Sequence, residues 1–293
     1  MKLRSFTALL LILTLALGLT ALAAQFDAAQ TITVVSREEG SGTRGAFVEL
    51  TGVLAKDAAG KEKDNTYSEA IISNGTNLVL TTVADNQAGI GYASLSSVMH
   101  NDTVKALKVE GVEASTENIL NGTYKIARPF NVVTKGELTD ELAIDFMAFV
   151  MSKEGQAIVS EDGLVSGATD ETPSYEAANK SGSLTVGGST SVAPVMELLA
   201  EAYMELNPEA KIEVQSTGSS AGVTGALDGT YGIGMASRLL KDSEVEKGAQ
   251  PIVIGTDGIA VVVNLANPVE DITVEQVRQV FTGEVTTWDA LSK

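Results

Sequence analysis

The residues best suited to chemistry in this sequence are hydroxyls and glycines placed where an apolar run hands over to an amphipathic one. Three turns have this form. Val34-Val35-Ser36-Arg37-Glu38-Glu39-Gly40-Ser41-Gly42-Thr43 runs towards Ala46, Phe47 and Leu50. Val186-Gly187-Gly188-Ser189-Thr190-Ser191 runs towards Val195, and Gln215-Ser216-Thr217-Gly218-Ser219-Ser220-Ala221-Gly222 runs towards Val223 and Leu227. Each reads as a strand feeding the start of a helix, where the first amides have no intrahelical acceptor and the aligned peptide dipoles leave partial positive charge. Glycines let the backbone come close and hydroxyls add neutral donors, so the chemistry is that of an oxyanion cradle. A single turn of this kind is equally an ordinary helix cap. Three in one chain point to anion binding, because one carries Arg37, whose guanidinium can hold a tetrahedral oxyanion through two parallel hydrogen bonds. The competing role for Arg37 is an ion pair with Glu38 or Glu39. A fourth run, Gly232-Ile233-Gly234-Met235-Ala236-Ser237-Arg238, ends a strand on a serine.

Catalytic chemistry has little to work with. The 293 residues include no cysteine and one histidine, His100. Disulfides, thiolate nucleophiles and metal sites needing two imidazoles are thereby excluded. His100 lies in a polar stretch and reads as an exposed loop residue. Gly40-Ser41-Gly42 is not a nucleophile elbow, and no Walker-type phosphate loop is present. No cofactor or metal is expected. With 38 acidic against 20 basic residues, the net charge of −18 disfavours nucleic acid and anionic membrane as partners. Asn74-Gly-Thr76, Asn101-Asp-Thr103 and Asn121-Gly-Thr123 match a glycosylation triplet that is common by chance.

The elements that must position these turns are those of an α/β fold. Residues 1–24 are expected to be a secretory signal: Lys2 and Arg4, a Leu/Ile/Ala run, then Ala21-Leu22-Ala23 for cleavage. Strands are predicted at 32–35, 88–92, 104–109, 131–134, 184–187, 212–215, 252–254 and 259–263, several of them continuous Val/Ile runs of the kind covered on both faces. Val195, Leu198, Leu199, Ala202, Tyr203 and Leu206 recur at helical spacing behind Pro194, and Leu142, Phe146, Phe149 and Val150 form a second stripe. Thr273 and Gln276 predict a capping box. Residues 166–182 lack periodicity and have the composition of a linker.

Taken together, these motifs resemble the phosphate-binding proteins of ABC phosphate importers, over nearly the whole chain after the signal. The resemblance rests on the Arg37–Thr43 loop, Gly188-Ser189-Thr190-Ser191-Val192-Ala193-Pro194-Val195, Gln215–Gly222, Ala88-Gly89-Ile90-Gly91-Tyr92, Thr134-Lys135-Gly136-Glu137, Glu154–Val159 and Phe281–Trp288. It implies a two-lobed periplasmic-binding-protein-like fold of type II with two crossover strands. The two sequence halves stand in exchanged order, as in a circular permutation, with 166–182 joining the old ends. On that basis one lobe is discontinuous (25–98 plus 258–293), the other continuous (99–257), and the crossovers are expected near Leu95–Thr103 and Ile254–Gly258.

The resemblance also implies the ligand set: Arg37, Ser41, Gly42 and Thr43 from one lobe, and Thr190, Ser191, Ser219 and Ser237 from the other. Two departures from the family stand out. Ser191 occupies a place where some members have a large aromatic residue, and Ser237 one where well-known members have an aspartate that accepts the proton of hydrogen phosphate. The function implied is an exported, monomeric receptor that captures inorganic phosphate in the interlobe cleft and delivers it to the membrane permease of an ABC importer, with no lipid anchor on cysteine. Ser237 keeps sulfate or another tetrahedral oxyanion open as the ligand, since a serine repels sulfate less than a carboxylate does. A phosphohydrolase built on the same cradle is the reading from another class.

Overall fold

The computed structural model describes residues 26–57 and 59–292, so the expected secretory signal lies outside the described residues. The first part of the chain forms β1 (Thr33–Arg37), α1 (Gly42–Leu50), β2 (Leu54–Lys56), β3 (Glu62–Asp64), β4 (Ile71–Ser73), α2 (Thr76–Ala84), β5 (Gly89–Ser94), α3 (Leu95–Met99), β6 (Val104–Ala106), β7 (Lys108–Val109) and α4 (Thr116–Leu120). The second part forms β8 (Ala127–Lys135), α5 (Glu141–Val150), α6 (Lys153–Glu161), β9 (Gly182–Gly188), α7 (Ala193–Leu206), β10 (Ala210–Ser216), α8 (Ser219–Asp228), β11 (Ile233–Ala236) and α9 (Asp242–Val245). The chain then returns through β12 (Ala249–Asn264), β13 (Asp271–Ile272) and α10 (Val274–Phe281).

One hydrogen-bonded path, β10-β9-β11-β8-β12-β5-β1-β4, runs through the whole molecule, with β6 added beside β12. At either end the strands are parallel: β10, β9 and β11 at one, β5, β1 and β4 at the other. The middle is antiparallel, and β12 is its axis. Residues 249–258 of β12 pair with β8, and residues 259–263 pair with β5. The register slips between Val253 and Gly255, a bulge that lets the strand bend.

Two main apolar cores flank this axis. In the first, the Phe47 ring of α1 stacks on Tyr92 of β5 with centroids 3.8 Å apart, and Phe281 of α10 meets Phe47 edge-on. Val79 and Val83 of α2 join the same core. In the second, Phe146 and Phe149 of α5 pack against Tyr203 of α7 and over Val186 and Met235. A smaller cluster seats Val223 and Ala226 of α8 against Val133 and Ala236 on the other face of that sheet. Burial of each such side chain stabilises by roughly 1.5–3 kcal/mol.

Several expectations are corrected. Leu95–Thr103 is no crossover: it contains α3, and Leu95 and Val98 pack in the first core. The segment from Val104 to Ile126, expected in the second lobe, also packs there, because β6 pairs with β12 and Leu107, Ile119, Tyr124 and Ile126 turn inward. The chain passes between cores at the start of β8, opposite the expected Ile254–Gly258 passage, with Arg128 facing Asp257 across the ladder. Residues 104–109 form two short strands because Lys108 and Val109 pair with β13 instead, while the runs at 252–254 and 259–263 belong to one strand. In α7, Leu198 and Leu206 are exposed, and the buried stripe runs through Val195, Met196, Leu199, Ala200 and Tyr203. Thr273 and Gln276 do form the reciprocal cap of α10.

Candidate functional site

Each nominated turn sits at the carboxyl end of a parallel strand, where open α/β sheets place their ligand crevices. β1 delivers Ser36 and Arg37, both 1% exposed. Ser41 caps α1, its hydroxyl accepting from the Arg44 amide at 3.2 Å. Across the cleft, the Ser189 hydroxyl lies 3.3 Å from the Ser191 amide at the entry to α7. Gly218 caps α8 with φ of 94°, a left-handed conformation that suits glycine, and Ser219 follows as its first helical residue.

Seven of the eight nominated residues meet one another, and Ser41 stands beside them as the cap of α1. Arg37 Nη2 donates to Thr190 Oγ1 at 2.8 Å, and the Thr43 and Ser191 hydroxyls are 2.9 Å apart. Gly42 lies so near the opposite lobe that a Cβ placed there would be 2.3 Å from Ser219 Oγ and 2.7 Å from Ser237 Oγ. The Ser219 hydroxyl lies 3.3 Å from that of Ser237 and accepts from its amide at 3.1 Å. A main-chain hydrogen bond from the Ser220 amide to the Gly40 carbonyl at 3.0 Å joins the Arg37–Thr43 turn to the start of α8. A groove of about 440 Å³, lined by Gly40, Ser41, Arg44, Ser220 and Arg238 among others, borders the cluster.

Arg37 combines the two roles its sequence allowed. Its Nε and Nη2 hold both oxygens of Glu38 at 2.8 and 2.7 Å, which fixes the guanidinium plane while Nη2 reaches Thr190. Burial alone would raise the Glu38 pKa, but the hydrogen bonds and charge of Arg37, with the amides of Glu38 and Gly75, hold it below the usual carboxylate range. A second ion pair lies behind the cluster. Arg128 of β8 meets Asp257 of β12 at 3.0 Å, both fully buried, and Arg128 Nη1 donates to the Ser237 carbonyl at 2.6 Å. Burial pushes Asp257 up to about 6 against the pull of Arg128.

Sequence reasoning missed Glu38 as an orienting partner, and also Thr76, Ser189, Arg128 and Asp257. Ser189 donates to Ser237 Oγ at 2.8 Å. Thr76 opens α2 behind Gly75, and its hydroxyl lies 3.2 Å from Thr190 Oγ1 and 3.1 Å from Ser191 Oγ. The signal was available for Thr76, because Ile71-Ile72-Ser73-Asn74-Gly75-Thr76 has the same strand, glycine and hydroxyl order as the other turns. Among the described residues no cluster of His, Cys, Asp or Glu is arranged to hold a metal ion, and no helix is long and apolar enough to cross a membrane.

A paired-lobe α/β scaffold with helix starts and a guanidinium meeting between the lobes defines the class of periplasmic-type binding proteins. Residues 21–154 and 173–293 match the PBP superfamily domain, and the chain belongs to that family. It is 47% identical over 263 residues to Phosphate-binding protein PstS 2 of Streptococcus agalactiae, covering 90% of this chain and 88% of that one. It is 45% identical to the protein of the same name from Streptococcus pneumoniae, over 94% and 93% of the two chains. The crystal structure of a phosphate-binding protein of a phosphate ABC transporter from Streptococcus pneumoniae superposes with a TM-score of 0.70 at 46% identity, covering 89% of this chain and all of that one.

Proposed function

We propose that this protein is an exported receptor that captures inorganic phosphate between its lobes and presents it to the permease of an ABC importer. The observation that carries the reading is the meeting of Arg37 with Thr190 at 2.8 Å from opposite sides of the cleft. Beside its Glu38 partner the Arg37 guanidinium faces the hydroxyls of Thr76 and Thr190, donors among which an oxyanion can be buried. Ligand touching both lobes favours the closed form by differential contact. The names of the relatives support phosphate as the ligand and a binding role over a catalytic one. Arg37, Ser41, Gly42, Thr43, Thr190, Ser191, Ser219 and Ser237 are the proposed ligand residues.

Calorimetric titration of phosphate into the wild type and Arg37→Ala tests this. Loss of the charge-assisted contact should weaken binding by about 2–3 kcal/mol, and an unchanged affinity would overturn the assignment. Sulfate remains the second reading on one observation. Ser237 Oγ sits among the hydroxyls of Ser189 and Ser219, and the nearby carboxylate of Glu38 is occupied by Arg37. Tight sulfate binding in a parallel titration would favour it.

The exchanged order of the sequence halves belongs to the same proposal. Thr31 bridges Thr287, the Asp289 amide donates to the Ala28 carbonyl at 2.8 Å, and Phe26 meets Trp288 edge-on. Residues 26–32 and 286–289 thus lie side by side, as a permutation between neighbouring ends requires. The expected monomeric state and the absence of an anchor on cysteine are part of this reading.

A further inference from the structure

Within that proposed site, one buried donor is poorly served. Nη1 of Arg37 carries two N–H groups, yet among the described residues its single acceptor is Thr76 Oγ1 at 3.4 Å, beyond the usual hydrogen-bond range. Arg37 is 1% exposed, so bulk solvent does not reach it. A buried guanidinium nitrogen with so weak a partner is rare in folded proteins unless a further acceptor belongs there. Nη1 points to the place where Thr76, Thr190 and Ser191 meet, with hydroxyl separations of 3.2 and 3.1 Å from Thr76. Thr76 is itself 3% exposed and stands on α2, an element outside all the nominated turns.

We infer that Thr76 is a further phosphate-binding residue, its hydroxyl donating to the same ligand oxygen that Arg37 Nη1 grips. The inference rests on the phosphate-receptor reading. A threonine hydroxyl has one proton and two lone pairs, so Thr76 can accept from the guanidinium and donate to the oxyanion at once. Gly75, with φ of 102°, turns the chain sharply enough to place the hydroxyl there. The first lobe then contributes α2 as well as the β1–α1 loop, and the ligand is held from two directions on that side.

The test is calorimetric titration of inorganic phosphate into wild type, Thr76→Val, Thr76→Ala, Thr76→Ser and Arg37→Ala, with thermal melts of each ligand-free protein. Thr76→Val and Thr76→Ala should bind roughly 10- to 100-fold more weakly, the loss of a hydrogen bond to a charged group. Thr76→Ser, which restores the hydroxyl, should lie within about threefold of wild type, a recovery that a purely structural role for the threonine methyl would not give. If the Val variant does not fold, the Ala and Ser pair decides. Full affinity in Thr76→Ala with loss in Arg37→Ala overturns the role of Thr76 alone. Full affinity in both overturns the receptor reading itself.

Discussion

At Gly42 the two lobes meet closely, and its lack of a side chain is a packing requirement. An added Cβ would meet Ser219 Oγ at 2.3 Å, Ser237 Oγ at 2.7 Å and Ser219 Cβ at 3.0 Å. Ser219 is fully buried, and its hydroxyl already accepts from the Ser237 amide at 3.1 Å. Alanine is a better helix former than glycine, so Gly42→Ala should leave each lobe folded while wedging the cleft apart. Phosphate affinity should fall at least tenfold, equivalent to about 1.4 kcal/mol, with the ligand-free melting temperature nearly unchanged; titration and melting together check it. At this scale much was legible. The order of strand, glycine and hydroxyl singled out residues that the fold brings together from as far as Arg37 and Thr190. Thr76 was obscured because Asn74-Gly-Thr76 also reads as a glycosylation triplet. The paired role of Glu38 was hidden because adjacent residues in a sequence do not reveal whether an ion pair competes with a ligand or orients a guanidinium for it.

Among the elements, the linker between α6 and β9 has more structure in its contacts than in its backbone. Residues 173–181 have no regular secondary structure, yet Tyr175 from this stretch donates to Asp145 Oδ2 at 2.6 Å, accepts from Asn207 at 2.9 Å and packs edge-on against Phe149. Tyr203 shares the same carboxylate oxygen at 2.7 Å. Tyr175→Phe should cost about 1 kcal/mol, one hydrogen bond's worth. Tyr175→Ala should cost roughly 2–4 kcal/mol through the lost ring. Urea denaturation measures both, and phosphate affinity should stay at the wild-type level because the site lies elsewhere. The linker was legible from composition, whereas its anchor was not, since a lone tyrosine in a polar run carries no periodicity. The unity of β12 was hidden for a related reason. Gly255 and Gly258 interrupt its apolar pattern, and only pairing with two different neighbours makes 249–264 one strand.

For the molecule as a whole, the decisive contact is the ion pair on the two strands that pass between the cores. Arg128 and Asp257 are opposite each other in the β8–β12 ladder, and Arg128 also holds the Ser237 carbonyl. Taking two charges out of water is expensive, and the pair survives through its geometry and added hydrogen bonds, including that from the Ser96 amide to Asp257 at 3.3 Å. Arg128→Met or Asp257→Leu alone should each cost about 3–5 kcal/mol by leaving a buried charge uncompensated, and the double variant should cost far less than their sum. Chemical denaturation of the four proteins gives the coupling. The bulge between Val253 and Gly255 has a consequence for how such a receptor breathes. Since β12 is laddered to β8 on both sides of that irregularity and to β5 from Ile259 onward, the jaws are hung on one uninterrupted ribbon. Releasing cargo must therefore part the few bonds that cross the cleft, among them the Ser220 amide from the Gly40 carbonyl and Arg37 from Thr190, while the ribbon behind them can stay whole.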